Sequence, residues 1–205
     1  METPNLIPNL NRVFPEGEEG KTYFPEVFED GKDPMVKYQI AIDPGNLETA
    51  IVVVDFQKKT ILETAKLPNE QVVEKIQEYK QKYGWCQQTG FAIEMIASYG
   101  MPVGKSVFDT CLWIGRYAQI WGKHTRLITR SMVKNHICKS PKANDANIRQ
   151  ALMDRYGSTR EAAIGTKKNP GPLFGVGNDE RAALAVALTA IETDLKYITS
   201  GEEDA

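Results

Sequence analysis

Along residues 36–43 the side chains alternate: Val36, Tyr38, Ile40 and Ile42 fall between Lys37, Gln39 and Ala41, the period of a strand with one buried face. The alternation ends in Asp43-Pro44-Gly45, a turn signal, and a second apolar run from Ile51 to Val54 predicts a strand over about 48–55. Ile61, Ala65 and Leu67 keep a period of two and predict a third strand over about 60–67. The period then changes. Val72, Val73, Ile76, Tyr79 and Tyr83 share one helical face after Pro68-Asn69, with Asn69 the expected cap and Gly84 the stop. "TGFAIEMI", 89–96, predicts a short apolar strand interrupted by Glu94. Val107, Cys111, Ile114, Ala118 and Trp121 predict a helix over about 104–121, and "TRLIT", 125–129, a fifth strand. Helices near 131–138 and over 145–156 follow, then a Gly/Pro/Lys loop at 157–177 and an Ala/Leu-rich helix over about 179–198.

Three consecutive strands with short links form an antiparallel meander. Strands separated by helices add in parallel through right-handed crossovers. The expected fold is therefore α/β, a mixed five-stranded sheet of three antiparallel and two parallel strands, flanked by helices. The fourth strand most naturally lies beside the first. Asp43 and Glu94 then sit on neighbouring strands at the same end of the sheet, about 5 Å apart in backbone.

Composition adds limits. The 205 residues suffice for one domain with a real core, and no run of about 18 apolar residues predicts a membrane span. The start lacks the basic and apolar segments of a secretory signal. Cys86, Cys111 and Cys138 are too few and scattered for a disulfide framework or zinc site, so reduced thiols in a cytosolic protein are expected. Net charge is −2, but its distribution matters more. Residues 1–33, read as a peripheral Pro-containing extension, carry −5, and an acidic tail occupies 201–205. The remaining body, 34–200, carries +6. Residues 122–142 hold Lys123, Arg126, Arg130, Lys134, Lys139 and Lys142 with no acid, together with His124 and His136. Such a stretch suits phosphate binding or simply a solvated surface.

An acid at the end of a core strand calls for a reason. Two carboxylates crowded at a sheet edge repel one another unless a cation neutralises them, and a hard ion with oxygen ligands, Mg²⁺ or Mn²⁺, fits. Asp179, in the first turn of the last helix, offers a third carboxylate. Asp145 is the expected cap of helix 145–156 and an alternative ligand, as Asp179 is an alternative cap. Two ions about 4 Å apart, held by three or four carboxylates, can activate water and stabilise the leaving oxygen of a phosphodiester.

"IAIDPG", "FAIEMIASYGMPVGKSVFDTCLWIGRYAQIWG", "KANDANIRQAL" and "NDERAALAVALT" together resemble the RuvC-type Holliday junction resolvases, particularly the RuvC-like nucleases of phages and prophages. The resemblance covers about 36–192. It implies the ribonuclease-H-like fold and Mg²⁺-dependent cleavage of branched DNA, with four-way junctions as partner and a homodimer as the cutting unit. Asp43 and Glu94 match the family's first two acids. Asp179 matches the first of two acids three apart on the last helix, and Ala182 stands where the second would be. Glu180 or Asp145 is left to supply the missing ligand. "ASYGMPVGKS" lies where junction-contacting residues follow the catalytic Glu, so Tyr99 is expected to stack on an unpaired base. Lys105, Arg130, Lys134 and Lys142 are expected phosphate contacts. Trp113, Tyr117 and Trp121 offer either a dimer interface or core packing. Three readings compete with an active resolvase. One is a catalytically dead DNA-binding or packaging factor, motivated by Ala182. Another is a nucleotide-binding protein of the sugar-kinase and actin type, disfavoured by the absence of an internal duplication. The last is a ribosomal-RNA-processing nuclease of the related RuvX type.

Overall fold

The computed structural model describes residues 12–13, 36–58, 60–83, 89–97, 100, 102–122 and 125–200. The five expected strands are present: β2 (Tyr38–Asp43), β3 (Glu48–Asp55), β4 (Thr60–Pro68), β5 (Thr89–Met95) and β6 (Thr125–Thr129). A two-residue strand from the N-terminal extension, β1 (Arg12–Val13), adds an edge next to β4. Phe14, Tyr23, Phe24 and Phe28 of that extension lie outside the described residues. The sheet order is β1-β4-β3-β2-β5-β6. The β2–β3–β4 meander is antiparallel, while β5 joins β2 and β6 joins β5 in parallel. The helices are α1 (Asn69–Tyr83), α2 (Lys105–Trp121), α3 (Arg130–Cys138), α4 (Asp145–Tyr156), α5 (Arg160–Ala163) and α6 (Asn178–Ser200). The short helix α5 breaks what the sequence pattern reads as an uninterrupted loop.

One face of the sheet packs on α1 and α2 through Ile40, Ile42, Ile51, Val53, Phe91 and Ile93. The opposite face carries Ala41, Ala50, Val52, Ala92 and Ile128 and is covered by α6. The sequence alternation predicts one wet face for the first strand. Instead Gln39 and Ala41 are both buried, because the small side chains of α6 let that helix lie close against the sheet. From Ala183 to Glu192 every residue of α6 is buried. The helix is enclosed between the sheet and the pair α3 and α4, and each large apolar side chain there contributes about 1.5–3 kcal/mol. Among the described residues no helix is long and apolar enough to cross a membrane, and Cys111 and Cys138 are free thiols.

Candidate active site

Strand parity brings the acids together. The β2–β5 register ends with Ile42 opposite Ile93, so the next positions are Asp43 and Glu94. Both share the face of Ala41 and Ala92, which is the face that α6 covers. Across the sheet Asp43 pairs with Ala50, and Ala50 with Lys66. A row of Lys66, Ala50, Asp43 and Glu94 therefore points toward the start of α6. Ala50 is small enough to leave the row open. Lys66 Nζ reaches Asp179 Oδ2 at 2.9 Å and Glu48 Oε2 at 3.2 Å.

The turn after Asp43 is held from below. Asn69 does not cap α1. Its Oδ1 accepts from Thr49 Oγ1 at 2.8 Å, and its Nδ2 donates to the Gly45 carbonyl at 3.0 Å. Tyr117 Oη lies 3.2 Å from the same Thr49 hydroxyl. A side chain at residue 45 would meet the Glu48 carbonyl oxygen at 2.4 Å, so glycine is required for the backbone to pass. This network fixes where β2 ends and hence where the Asp43 carboxyl lies.

The two strand carboxyls lie within hydrogen-bond distance of one another. Burial, together with Glu94 at hydrogen-bond distance, pushes Asp43 up to about 8. Glu94 is also raised, by burial, although Arg130 works against the shift. Arg130 follows β6 directly and begins α3, with Thr129 accepting from Met132 N as the cap. Its Nη1 lies 3.3 and 3.4 Å from the two oxygens of Glu94, and its Nη2 donates to Asp145 Oδ1 at 2.6 Å. Asp145 is free for this because Asn144 caps α4, in a reciprocal capping box with Asn147. The Arg130 hydrogen bond holds the Asp145 carboxyl below its ordinary range.

A cleft of about 140 Å³ opens beside this cluster, lined by Asp43, Asp145 and Asp179, by Arg130, Arg149 and Arg181, and by Ala182. Asp179 thus faces the same space as Asp43, but its carboxylate is turned to Lys66. The chemistry of the donor set fits a divalent cation at the Asp43–Glu94 pair. Two crowded, partly buried carboxylates repel one another, and a hard divalent ion offers the charge that offsets this. Among the described residues no three or more carboxylate, His or Cys groups gather into one ligand set.

The expected phosphate contacts divide. Arg130 lines the cleft, whereas Lys134 does not, although it is near enough to lower the Asp145 carboxyl. Lys142 is exposed on the turn before α4. Lys105, at the first residue of α2, is exposed beside Asp109 and does not line the cleft. Tyr99 lies outside the described residues. The basic stretch 122–142 is not one surface. Arg126 turns inward to the Ala190 carbonyl and Thr193, and buried His136 pairs with Glu192, which also takes Arg155. Among the three aromatics offered for an interface, Tyr117 is fully buried and Trp121 stacks on Phe91 with ring centroids 4.6 Å apart. Trp113 stacks on Tyr117 and under Arg116. The exposed apolar positions of α2 are instead Phe108 and Leu112, at 59% and 69% exposure. Sequence reasoning missed Lys66, Arg149 and Arg181. Register counting from Asp43 across the two hairpins finds Lys66, and Arg149 lies one turn on from Asp145.

No protein-family profile matches the chain, and no curated protein matches it in sequence. In structure it is similar to RuvC from Thermus thermophilus, with 16% identity over 78% of this chain and 96% of RuvC and a TM-score of 0.54. RuvC from T. thermophilus in complex with a Holliday junction substrate gives the same identity and shares, with a TM-score of 0.53. A Fowlpox virus resolvase, crystallised with substrate Holliday junction DNA, aligns over 77% of this chain and 99% of its own. Its identity is 12% and its TM-score 0.40, too loose a likeness to argue from. The fold is thus ribonuclease-H-like, its central sheet of three antiparallel and two parallel strands flanked by helices, with β1 added at one edge. That fold is the one the chain shares with RuvC.

Proposed function

We propose that this protein is a structure-selective endonuclease that cuts four-way or other branched DNA by divalent-cation-dependent hydrolysis of a phosphodiester. The observation that carries the reading is the Asp43–Glu94 pair, two carboxyls forced together at the end of adjacent core strands beside a cleft with three arginines. Natural sequences accept such repulsion where it serves chemistry. The shared fold supports the reading, since one of the similar structures is a complex of RuvC with a Holliday junction.

On this reading Asp43 and Glu94 hold Mg²⁺ or Mn²⁺, which when bound supplies an acidified water and charge for the departing oxygen. Arg130 keeps Glu94 oriented while anchored on Asp145. Lys66 holds Asp179 toward the cleft. Arg149, Arg181, Lys134 and Lys142 meet backbone phosphates, so recognition is by charge and shape and weakens steeply with salt. Two copies would match the two symmetric cuts a junction needs, and Phe108 and Leu112 on α2 are the apolar positions that a second copy could cover. The setting for such work is the cytoplasm.

The test is a labelled four-way junction with Mg²⁺ beside linear duplex of the same sequence. Paired nicks in the junction alone are expected, and Glu94→Gln should abolish them while leaving junction binding within a few-fold. A second reading, a DNA-binding factor without cleavage, is favoured by Ala182 and by the engagement of Asp179 with Lys66. Junction binding with no nick under any divalent cation would decide for it.

A further inference from the structure

We infer that the cleft is built for one divalent cation, with the guanidinium of Arg130 serving as the second, fixed positive charge. The inference deepens the nuclease reading and rests on it. Two-ion hydrolysis needs three or four carboxylates that can bridge and flank the ions. Here Asp43 and Glu94 form one pair, and no larger set of ligands gathers among the described residues. Ala182 lines the cleft one turn on from Asp179 and brings no oxygen. Glu180, beside Asp179 on α6, does not line the cleft, and the remaining acids are committed. Asp145 is bound to Arg130 at 2.6 Å, and Asp179 to Lys66 at 2.9 Å.

Charge leads to the same conclusion. Five carboxylates, Asp43, Glu94, Asp145, Asp179 and the Glu48 that also takes Lys66, stand against four cations, Lys66, Arg130, Arg149 and Arg181. One divalent ion leaves this set at +1, a charge that one backbone phosphate offsets. Two ions leave +3 around a cleft of about 140 Å³. Arg130 can do the work of the second ion without ligands of its own. Its planar fork is already held in place by Glu94 and Asp145, and it is permanently charged. Arg181 also lines the cleft and adds a further fixed positive charge there.

The measurement is the number of Mn²⁺ ions bound per chain, counted by electron paramagnetic resonance and calorimetry. The sample is the full chain with a four-way junction made uncleavable by phosphorothioate at the cut positions. One ion per chain is expected. Ala182→Asp should raise the count to two. Arg130→Gln, by freeing Glu94 and Asp145, should admit a second ion at high Mn²⁺, whereas Arg130→Lys, which keeps the charge, should hold the count at one. Circular dichroism and melting curves establish that each variant is folded. Two ions on the wild type, or one on a folded Ala182→Asp, overturns the inference and leaves the nuclease reading standing. No bound ion overturns both. One ion with no cleavage of an ordinary junction sinks the nuclease reading alone.

Discussion

The crowding of Asp43 against Glu94 makes a prediction about stability that runs against the usual effect of removing a site residue. In the metal-free protein the Asp43 carboxyl holds its proton to about pH 8, and in the unfolded chain it loses it near the ordinary 3.8. At 1.36 kcal/mol per decade the gap sets an upper bound of about 6 kcal/mol. Asp43 is only partly covered at the cleft, and screening by water there reduces the expected cost to about 2–4 kcal/mol. The sign follows from the direction of the shift. Below about pH 4 both states are protonated and no penalty exists. The penalty grows as the pH rises and is complete above about pH 8. Asp43→Asn removes it and keeps a donor for Glu94. In EDTA at pH 8 the variant should therefore melt about 5–15 °C above the wild type, with the difference shrinking toward zero at pH 4. Millimolar Mg²⁺ should raise the melting temperature of the wild type by binding the folded state, and should do less for the variant. Differential scanning calorimetry across pH 4 to 9 measures all of this. A variant no more stable at pH 8 than at pH 5, relative to wild type, would refute the argument that repulsion at this pair is a standing cost of the site.

Three more outcomes are expected. Asn69→Ala takes away the acceptor of the Thr49 hydroxyl and the side-chain donor to the Gly45 carbonyl, so urea denaturation should show a loss of about 1–3 kcal/mol, with junction cleavage falling further than junction binding because the Asp43 turn is released. Glu192→Ala strips Arg155 of its counter-charge and His136 Nε2 of its hydrogen-bond partner and should cost about 3–5 kcal/mol by the same assay. Burial tends to raise the Glu192 carboxyl, but hydrogen bonds from His136 and Arg155 hold it below its ordinary value. In the wild type this contribution is full above about pH 4.5 and lost as the pH falls through the lowered folded value, so Glu192→Gln should flatten the acid limb of the stability curve. Gly45→Ala forces a methyl group against the Glu48 carbonyl; a thermal melt should fall by about 2–8 °C, and an unchanged melt would mean that the turn can move.

Much of the fold was legible because its strands and helices differ in period. The three-strand meander, the parallel additions and the meeting of Asp43 with Glu94 all follow from element order and strand parity. The limits were physical as well. Period alone gave the first strand a wet face, since Gln39 and Ala41 read as polar or neutral until the small residues of α6 are laid over them. Asn69 and Asp145 were assigned as caps from residue type, yet each has a long-range partner, and local sequence carries no sign of Thr49 or Arg130 as that partner. The basic run at 122–142 looked like one surface because charge was counted along the chain. The folded chain turns Arg126 and His136 toward α6 and Arg130 toward the acids. Lys66 was missed for the complementary reason. Its relation to Asp179 exists only through the register of two hairpins and the entry angle of a distant helix.

The enclosure of α6 has a mechanical consequence. A helix gripped on every side over ten residues cannot tilt or slide by itself, so it acts as an axle fixed through the molecule, with Asp179 at one end and Glu192 near the other. Because α3 and α4 are tied to this axle through buried side chains and through His136 and Arg155 on Glu192, they move with it, and Asp179 keeps a set position relative to Asp43.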